Sequence, residues 1–340
     1  MRTPIRRVAV IGAGTIGTGW ATFFASRGLR VHLFDFASEK AARALADIRS
    51  QLGALAAYGL ISGSAHLGSG RGAGTAAVVA DEAAERVRVA GRLTDAVGEA
   101  DMVQEAVFET YEAKRAVFAA ADDAAPEDVL LASSSSGLLM TEIQRAVRRH
   151  PERCLVAHPI NPVYLIPLVE LVPGAQTDPA AMRSARAFFE SLGKVPVTLT
   201  REVPGYLENR MTAALWREAI DLVHQGVASV EDVDRAIWAG PGLRYALLGP
   251  LMLYHLGGGE GGVRAFVQHL GPAVRSWWED LRTWAEMPEG AVDALESGLG
   301  QVLRGRTIGQ VAAWRDARLV ELLKVLSAHP LFGEETDAAP

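Results

Sequence analysis

Residues 8 to 17 read Val-Ala-Val-Ile-Gly-Ala-Gly-Thr-Ile-Gly. Four apolar residues run into glycines spaced G-x-G-x-x-G, and an apolar helical pattern opens directly behind them. That order leaves few folds open: a strand, a tight turn and a helix closing on the strand, the start of a mainly parallel α/β layer. Gly12 permits the turn, Gly14 lets the backbone approach a diphosphate, and Gly17 lets the helix pack close to the strand. Thr15 and Ile16 begin the helix, whose N-terminus faces phosphate charge. The second strand candidate ends Leu33-Phe34-Asp35. Asp35 lies roughly twenty residues past the glycines, where a carboxylate accepts hydrogen bonds from a ribose diol. The same carboxylate repels a 2′-phosphate, and neither Phe36 nor Ala37 offers that phosphate a cation. The pattern therefore favours NAD over NADP. FAD fits the same turn, but an FAD enzyme usually needs a longer second half.

The rest of the chain fits a Rossmann-type, doubly wound sheet followed by an all-helical second domain. Short β-rich runs start near Val8, Val31, Val87, Met102, Val129, Leu155, Leu168 and Val195, with Ala-rich helical patterns between most of them. Strands alternating with helices indicate parallel βαβ units. After Pro204 the apolar residues recur only at helical spacing, as in Leu207, Met211, Leu215 and Ile220. The expected division is a cofactor-binding domain over 1–200 and a helical substrate and dimerisation domain over 201–330, with a frayed acidic tail at 331–340. The glycine-rich segment Gly63–Ala77 is expected to be a flexible loop, with a substrate lid as the alternative.

Composition removes several function classes. Apolar residues make up 49% of the chain and charged residues 22%, against wholesale disorder. A formal net charge of −6 gives no support to nucleic-acid binding through bulk positive charge. Cys154 is the single cysteine, so an intrachain disulfide is impossible and no metal site is expected. The apolar run Val8–Ile11 is too short for a signal-peptide core or a membrane span, and a cytoplasmic protein is expected.

The chemistry concentrates in His158-Pro-Ile-Asn161-Pro-Val-Tyr-Leu-Ile-Pro-Leu-Val-Glu170. Histidine titrates near neutrality and is the natural base for an alcohol proton. Glu170 sits in an apolar run, needs a partner if buried, and finds an obvious one in His158. From these residues alone, a structural histidine and a sheet-edge carboxylate remain an equal alternative.

The HPxNP motif with a glutamate twelve residues after its histidine resembles the L-3-hydroxyacyl-CoA dehydrogenase family. So do Ser133-Ser134-Ser135-Ser136, Pro204-Gly205-Tyr206-Leu207-Glu208-Asn209-Arg210, and Glu105-Ala106-Val107 with Glu109 and Lys114. The likeness covers nearly the whole chain. It implies His158 as base, Glu170 as its orienter, and Ser136 and Asn209 as donors to the substrate oxygen. It also implies Asn161 in the pocket wall, Glu109 and Lys114 near the nicotinamide ribose, and a homodimer.

Within that family, Gly240-Pro-Gly-Leu-Arg244-Tyr245-Ala246 and Leu248-Gly-Pro250 resemble the branch acting on small free hydroxy acids, the L-carnitine and L-gulonate 3-dehydrogenases. A free carboxylate suits the planar fork of Arg244, and an interhelical or dimer-interface ion pair is the alternative for that residue. A trimethylammonium group would want an aromatic wall, for which Tyr245, Trp216, Trp238 and Tyr254 are candidates. A polyol would want amides, in which the helical half is poor. The expectation is therefore an NAD-dependent dehydrogenase of a short L-3-hydroxy acid such as carnitine. The alternatives are a thioester or gulonate enzyme, or a non-catalytic crystallin-like protein.

Overall fold

The computed structural model describes residues 5–61 and 73–328. The first unit alternates strand and helix: β1 (Arg7–Ile11), α1 (Thr15–Ser26), β2 (Arg30–Phe34), α2 (Ser38–Ala57), α3 (Ala73–Ala84), β3 (Val87–Val89), α4 (Leu93–Val97) and β4 (Met102–Glu105). It continues with α5 (Tyr111–Ala124), β5 (Leu130–Ser133), α6 (Met140–Gln144), β6 (Cys154–Pro159), β7 (Leu168–Pro173), α7 (Pro179–Ser191) and β8 (Val195–Thr198). Of the segment Gly63–Ala77, the part through Gly72 lies outside the described residues. Ala73–Ala77 is not loop but the start of α3, as its alanines permit.

The strands form one sheet in the order β3-β2-β1-β4-β5-β6-β7-β8. All neighbours run parallel except β6 and β7, which are antiparallel. Central β1 is apolar without alternation because helices cover both faces; Val8, Ala9, Val10 and Ile11 are all buried. From β1 the chain goes to β2 on one side and later to β4 on the other. Strand order reverses there, and a crevice opens at the carboxyl ends. Helix α1 lies over this point and is buried nearly throughout. Its Trp20 ring stacks on Phe24 at 5.1 Å and contacts Phe189 of α7 at 5.6 Å.

The chain divides into two compact units, Met1–Arg210 and Met211–Pro340. Helix α8 (Glu208–His224) begins in the first and continues into the second. The second unit is helical: α9 (Val230–Trp238), α10 (Pro241–Tyr245), α11 (Pro250–Gly257), α12 (Gly262–Asp280), α13 (Ala291–Leu303) and α14 (Ile308–Ala328). Ser229 caps α9 by accepting from the Asp232 N–H at 3.1 Å. Helices α9 and α13 pack closely: a Cβ at Gly298 would lie 2.3 Å from Val230 Cγ2. The tail 331–340 lies outside the described residues.

Candidate active site

The three glycines of the turn meet different surroundings. Gly12 has φ +107°, and a Cβ there would lie 2.4 Å from the Ala106 carbonyl oxygen. A Cβ on Gly17 would lie 1.8 Å from the Gly12 carbonyl oxygen, so only glycine lets α1 approach β1 this closely. Around Gly14 there is open space, bounded by Lys40 Nζ 3.8 Å from such a Cβ. No side chain caps the N-terminus of α1 and no acid stands in its first turn, where Thr15 and Ile16 lie. Unpaired helix amides beside open space fit a diphosphate. Asp35 accepts from the Ala13 N–H (2.8 Å) and the Ala37 N–H (2.9 Å), which fixes its carboxylate at the end of β2. The residues present therefore fit a dinucleotide. The sequence reading found no cation beside Asp35, and the structure supplies one. Lys40, in the first turn of α2, reaches to 3.8 Å from Asp35 Oδ2 and lies over the Phe108 ring.

His158 lies inside β6, because the antiparallel ladder with β7 extends pairing to Pro159. In that register His158 stands directly opposite Glu170. Cross-strand neighbours share a face, and the ring Nδ1 comes within 2.8 Å of Glu170 Oε2. Both side chains are buried, at 6% and 1% exposure. Glu170 Oε1 accepts the N–H groups of Leu207 (2.9 Å) and Glu208 (3.0 Å) at the start of α8. Burial pushes the Glu170 carboxyl up, but His158 and these two amides outweigh it and hold the group below its ordinary range. The carboxylate can only accept, so the Nδ1 proton is assigned to this bond and Nε2 carries the lone pair. The Tyr206 ring meets the imidazole edge-to-face at 5.6 Å.

A second set of groups gathers around the end of β4. Lys114 of α5 is 1% exposed and bridges Glu105 Oε1 (2.8 Å) and Glu109 Oε2 (3.2 Å). Glu105 is fully buried and also accepts from Ser133 Oγ and the Val107 N–H, both at 2.6 Å. Glu109 accepts from Ser135 Oγ (2.6 Å), Ser136 N–H (2.8 Å) and Ser136 Oγ (3.3 Å). Burial raises the Glu109 carboxyl while Lys114 and the serines lower it, with a net depression. Asn209 Nδ2 donates to the Ser136 carbonyl at 2.7 Å. Ser136 and Asn209 are therefore joined directly, and Ser136 is held by Glu109. Because Glu170 grips the first residues of α8, Asn209 is tied to both clusters.

Asn161 is exposed at the start of the β6–β7 connection. Arg244 and Tyr245 lie on α10 in the second unit; Arg244 is exposed and makes no salt bridge among the described residues. Tyr245 is exposed as well. Trp216 and Trp238 instead line one cavity of about 640 Å³, together with Glu231, Asp234 and Arg235. Sequence reading missed Lys40 and gave Glu105 no role. A glutamate ending a strand nine residues before a helical lysine was the available signal for Glu105. Lys40 reaches Asp35 from the first turn of the following helix. No group of three or more metal-ligating side chains occurs among the described residues, and no described helix is long and apolar enough to cross a membrane.

Comparison with known proteins places this geometry. Residues 7–203 match the model for the 3-hydroxyacyl-CoA dehydrogenase NAD binding domain, and residues 205–295 match that for the 3-hydroxyacyl-CoA dehydrogenase C-terminal domain. The chain is 38% identical to an L-carnitine dehydrogenase of Streptomyces griseus subsp. griseus over 97% of this chain and 93% of that one. It is 39% identical to that of Streptomyces coelicolor over 98% of both. Among solved structures, an NAD⁺-dependent dismutase, 5-formyl-3-hydroxy-2-methylpyridine 4-carboxylic acid 5-dehydrogenase, superposes with TM-score 0.76 at 29% identity, covering 95% and 99% of the two chains. The (S)-3-hydroxybutyryl-CoA dehydrogenase PaaH1 of Ralstonia eutropha gives TM-score 0.61 at 28% identity, over 74% and 82%. With both halves matched in order along the sequence, the chain belongs to the 3-hydroxyacyl-CoA dehydrogenase family and is an NAD-dependent oxidoreductase.

Proposed function

We propose that this enzyme oxidises the 3-hydroxyl of a short L-3-hydroxy acid, L-carnitine or a close relative. The observation that carries the reading is the His158–Glu170 pair: a buried imidazole whose Nδ1 is taken by a carboxylate and whose Nε2 is left as a base. His158 Nε2 accepts the hydroxyl proton. The imidazolium so formed lies 2.8 Å from the Glu170 carboxylate, which stabilises it. Ser136 and Asn209, linked to each other, hold the substrate oxygen, with Asn161 in the wall. The turn Gly12–Gly17, with Thr15 and Ile16, would hold the diphosphate, Asp35 the ribose diol, and Glu109 and Lys114 the second ribose. When bound, NAD supplies a two-electron acceptor for the hydrogen on C3.

Support for the substrate comes from the curated relatives, named L-carnitine dehydrogenase, and from the helical unit. Arg244 is a free guanidinium suited to a carboxylate. Two indoles and the Asp234 carboxylate in one cavity, whose Glu231 is paired with Arg235, offer a quaternary ammonium ring and charge attraction. A second copy of this chain is the inferred partner. Among the described residues, the buried apolar side chains beyond residue 210 are only Ile220, Val230, Ala291 and Val320, while Leu251, Trp278, Ile308 and Trp314 are well exposed.

The test is NADH formation from L-carnitine, L-gulonate, L-3-hydroxybutyrate and 3-hydroxybutyryl-CoA, with wild type, His158→Ala and Arg244→Ala. The reading expects L-carnitine to give the highest kcat/KM, a loss of about 10²–10⁴ in His158→Ala, and a raised KM for free acids in Arg244→Ala. Preference for the thioester, or near-full turnover in a folded His158→Ala, overturns it.

A further inference from the structure

Lys194 follows α7 and precedes β8, far in sequence from the residues described so far. Its side chain is nearly excluded from solvent, at 5% exposure. No carboxylate pairs with it among the described residues. The charged group whose field reaches it is Arg27, which follows α1 and is of like sign; burial and this repulsion lower the Lys194 ammonium to about 7. A buried ammonium without a counter-charge is an expensive way to fill space.

What holds the ammonium in place is specific. Nζ donates to the Val163 carbonyl at 2.6 Å and to the Ile166 carbonyl at 2.7 Å. Its remaining direction meets aromatic faces of α1, with the Phe23 centroid at 4.4 Å and the Trp20 centroid at 5.3 Å. Val163 and Ile166 belong to the connection 160–167, which leaves β6 just after His158, carries Asn161, and enters β7 just before Glu170. The connection also packs on α1 without clearance: a Cβ on Gly19 would lie 2.9 Å from Val163 Cβ. Lys194 thus ties the link between base and orienter to the helix behind the dinucleotide turn.

Composition sharpens the point. The chain carries thirty arginines and four lysines: Lys40, Lys114, Lys194 and Lys324. Lys40, Lys114 and Lys194 each stand beside a carboxylate or carbonyl group. At Lys194 a compact ammonium converges on two carbonyls under two rings, a geometry a planar guanidinium cannot copy.

We propose that Lys194 is a positioning residue for the reaction, clamping the 160–167 connection against α1 so that His158, Asn161 and Glu170 keep their mutual placement. This rests on the reading of His158 as the base. The experiment uses the full chain and Lys194→Met, which keeps the stem and loses the donors. Amide hydrogen exchange across 160–167 is expected to rise about tenfold. NADH affinity, read by fluorescence, stays within about twofold, while kcat falls roughly 10–100-fold with the KM for NAD unchanged. Lys194→Gln, with one donating group, is expected to be intermediate in exchange and kcat. Wild-type exchange in Lys194→Met overturns the proposal. Raised exchange with unchanged kcat also overturns it, by making Lys194 a structural tether alone. If Lys194→Met does not fold, wild-type exchange and kcat in Lys194→Gln overturn the proposal. Exchange is read without turnover, so it distinguishes failure of this clamp from failure of His158 as the base.

Discussion

Glu105 and Glu170 occupy comparable positions with different outcomes. Each is buried at the carboxyl side of the sheet unit, and each accepts from three donors. For Glu105 these are Lys114 Nζ, Ser133 Oγ and the Val107 N–H; for Glu170 they are His158 Nδ1 and the Leu207 and Glu208 N–H groups. The difference lies in the basic partner. An ammonium bonded to two carboxylates serves as a fixed strut between Glu105 and Glu109. An imidazole held at one ring nitrogen keeps the other as a base, so on the proposed reading the same buried device becomes chemistry. On that reading one sheet builds its scaffold and its catalyst from one pattern, differing in which base faces the acid.

The largest test of this contrast is Glu170→Gln. The amide can present its oxygen or its nitrogen to Nδ1 and cannot stabilise an imidazolium. The expected loss in kcat is roughly 10²–10⁴ with the KM for NAD unchanged. Steady-state kinetics on folded protein check it; a loss under fivefold would sink the catalytic half of the comparison. Lys114→Met should act on stability instead. Leaving Glu105 buried without its cation is expected to cost about 3–5 kcal/mol in urea unfolding, with a smaller effect on turnover per folded molecule than Glu170→Gln. A stability matching wild type would mean that the strut is not one.

Asp35 sharpens the contrast from the exposed side. Its cation, Lys40, stands at 3.8 Å and is 41% exposed, so solvent screens the pair. Asp35→Asn is expected to weaken NAD about tenfold and to strengthen NADP, because Lys40 is then free to face a 2′-phosphate. Calorimetric titration of both dinucleotides reads the change. The smallest effect is in acid. Glu170 is held below its ordinary value of 4.5 in the folded chain, so its stabilisation is complete above that value and is lost as pH falls through the lower, folded one. The stability gap between wild type and Glu170→Gln should narrow as pH falls below about 5, measured by urea unfolding across pH.

The sequence revealed the groups that depend on local order. The turn Gly12–Gly17 and Asp35 are legible because a strand, a turn and a helix fix them within a few residues. His158 and Glu170 are legible as partners because twelve residues are enough for an eight-residue connection and a return strand. The antiparallel direction of β7, which puts them face to face, was not legible, since β7 reads as another apolar run. The link from Asn209 to Ser136, 73 residues away, could be expected only from family likeness. Lys40 was hidden for a local reason: the residues searched beside Asp35 were its chain neighbours, whereas the cation arrives one helical turn later. Lys194 carried no signal, because its partners are carbonyls and rings, which every sequence contains.

The scarcity of lysine has a practical side. Among its four primary amine side chains, Lys114 and Lys194 are enclosed, leaving Lys40 and Lys324 to an amine-selective label. Lys40 borders the open space above Gly14, and Lys324 lies on α14 in the other unit. One labelling reaction therefore contains both reporter and internal reference. A dinucleotide seated on the glycine turn would shield the first amine and leave the second as the standard.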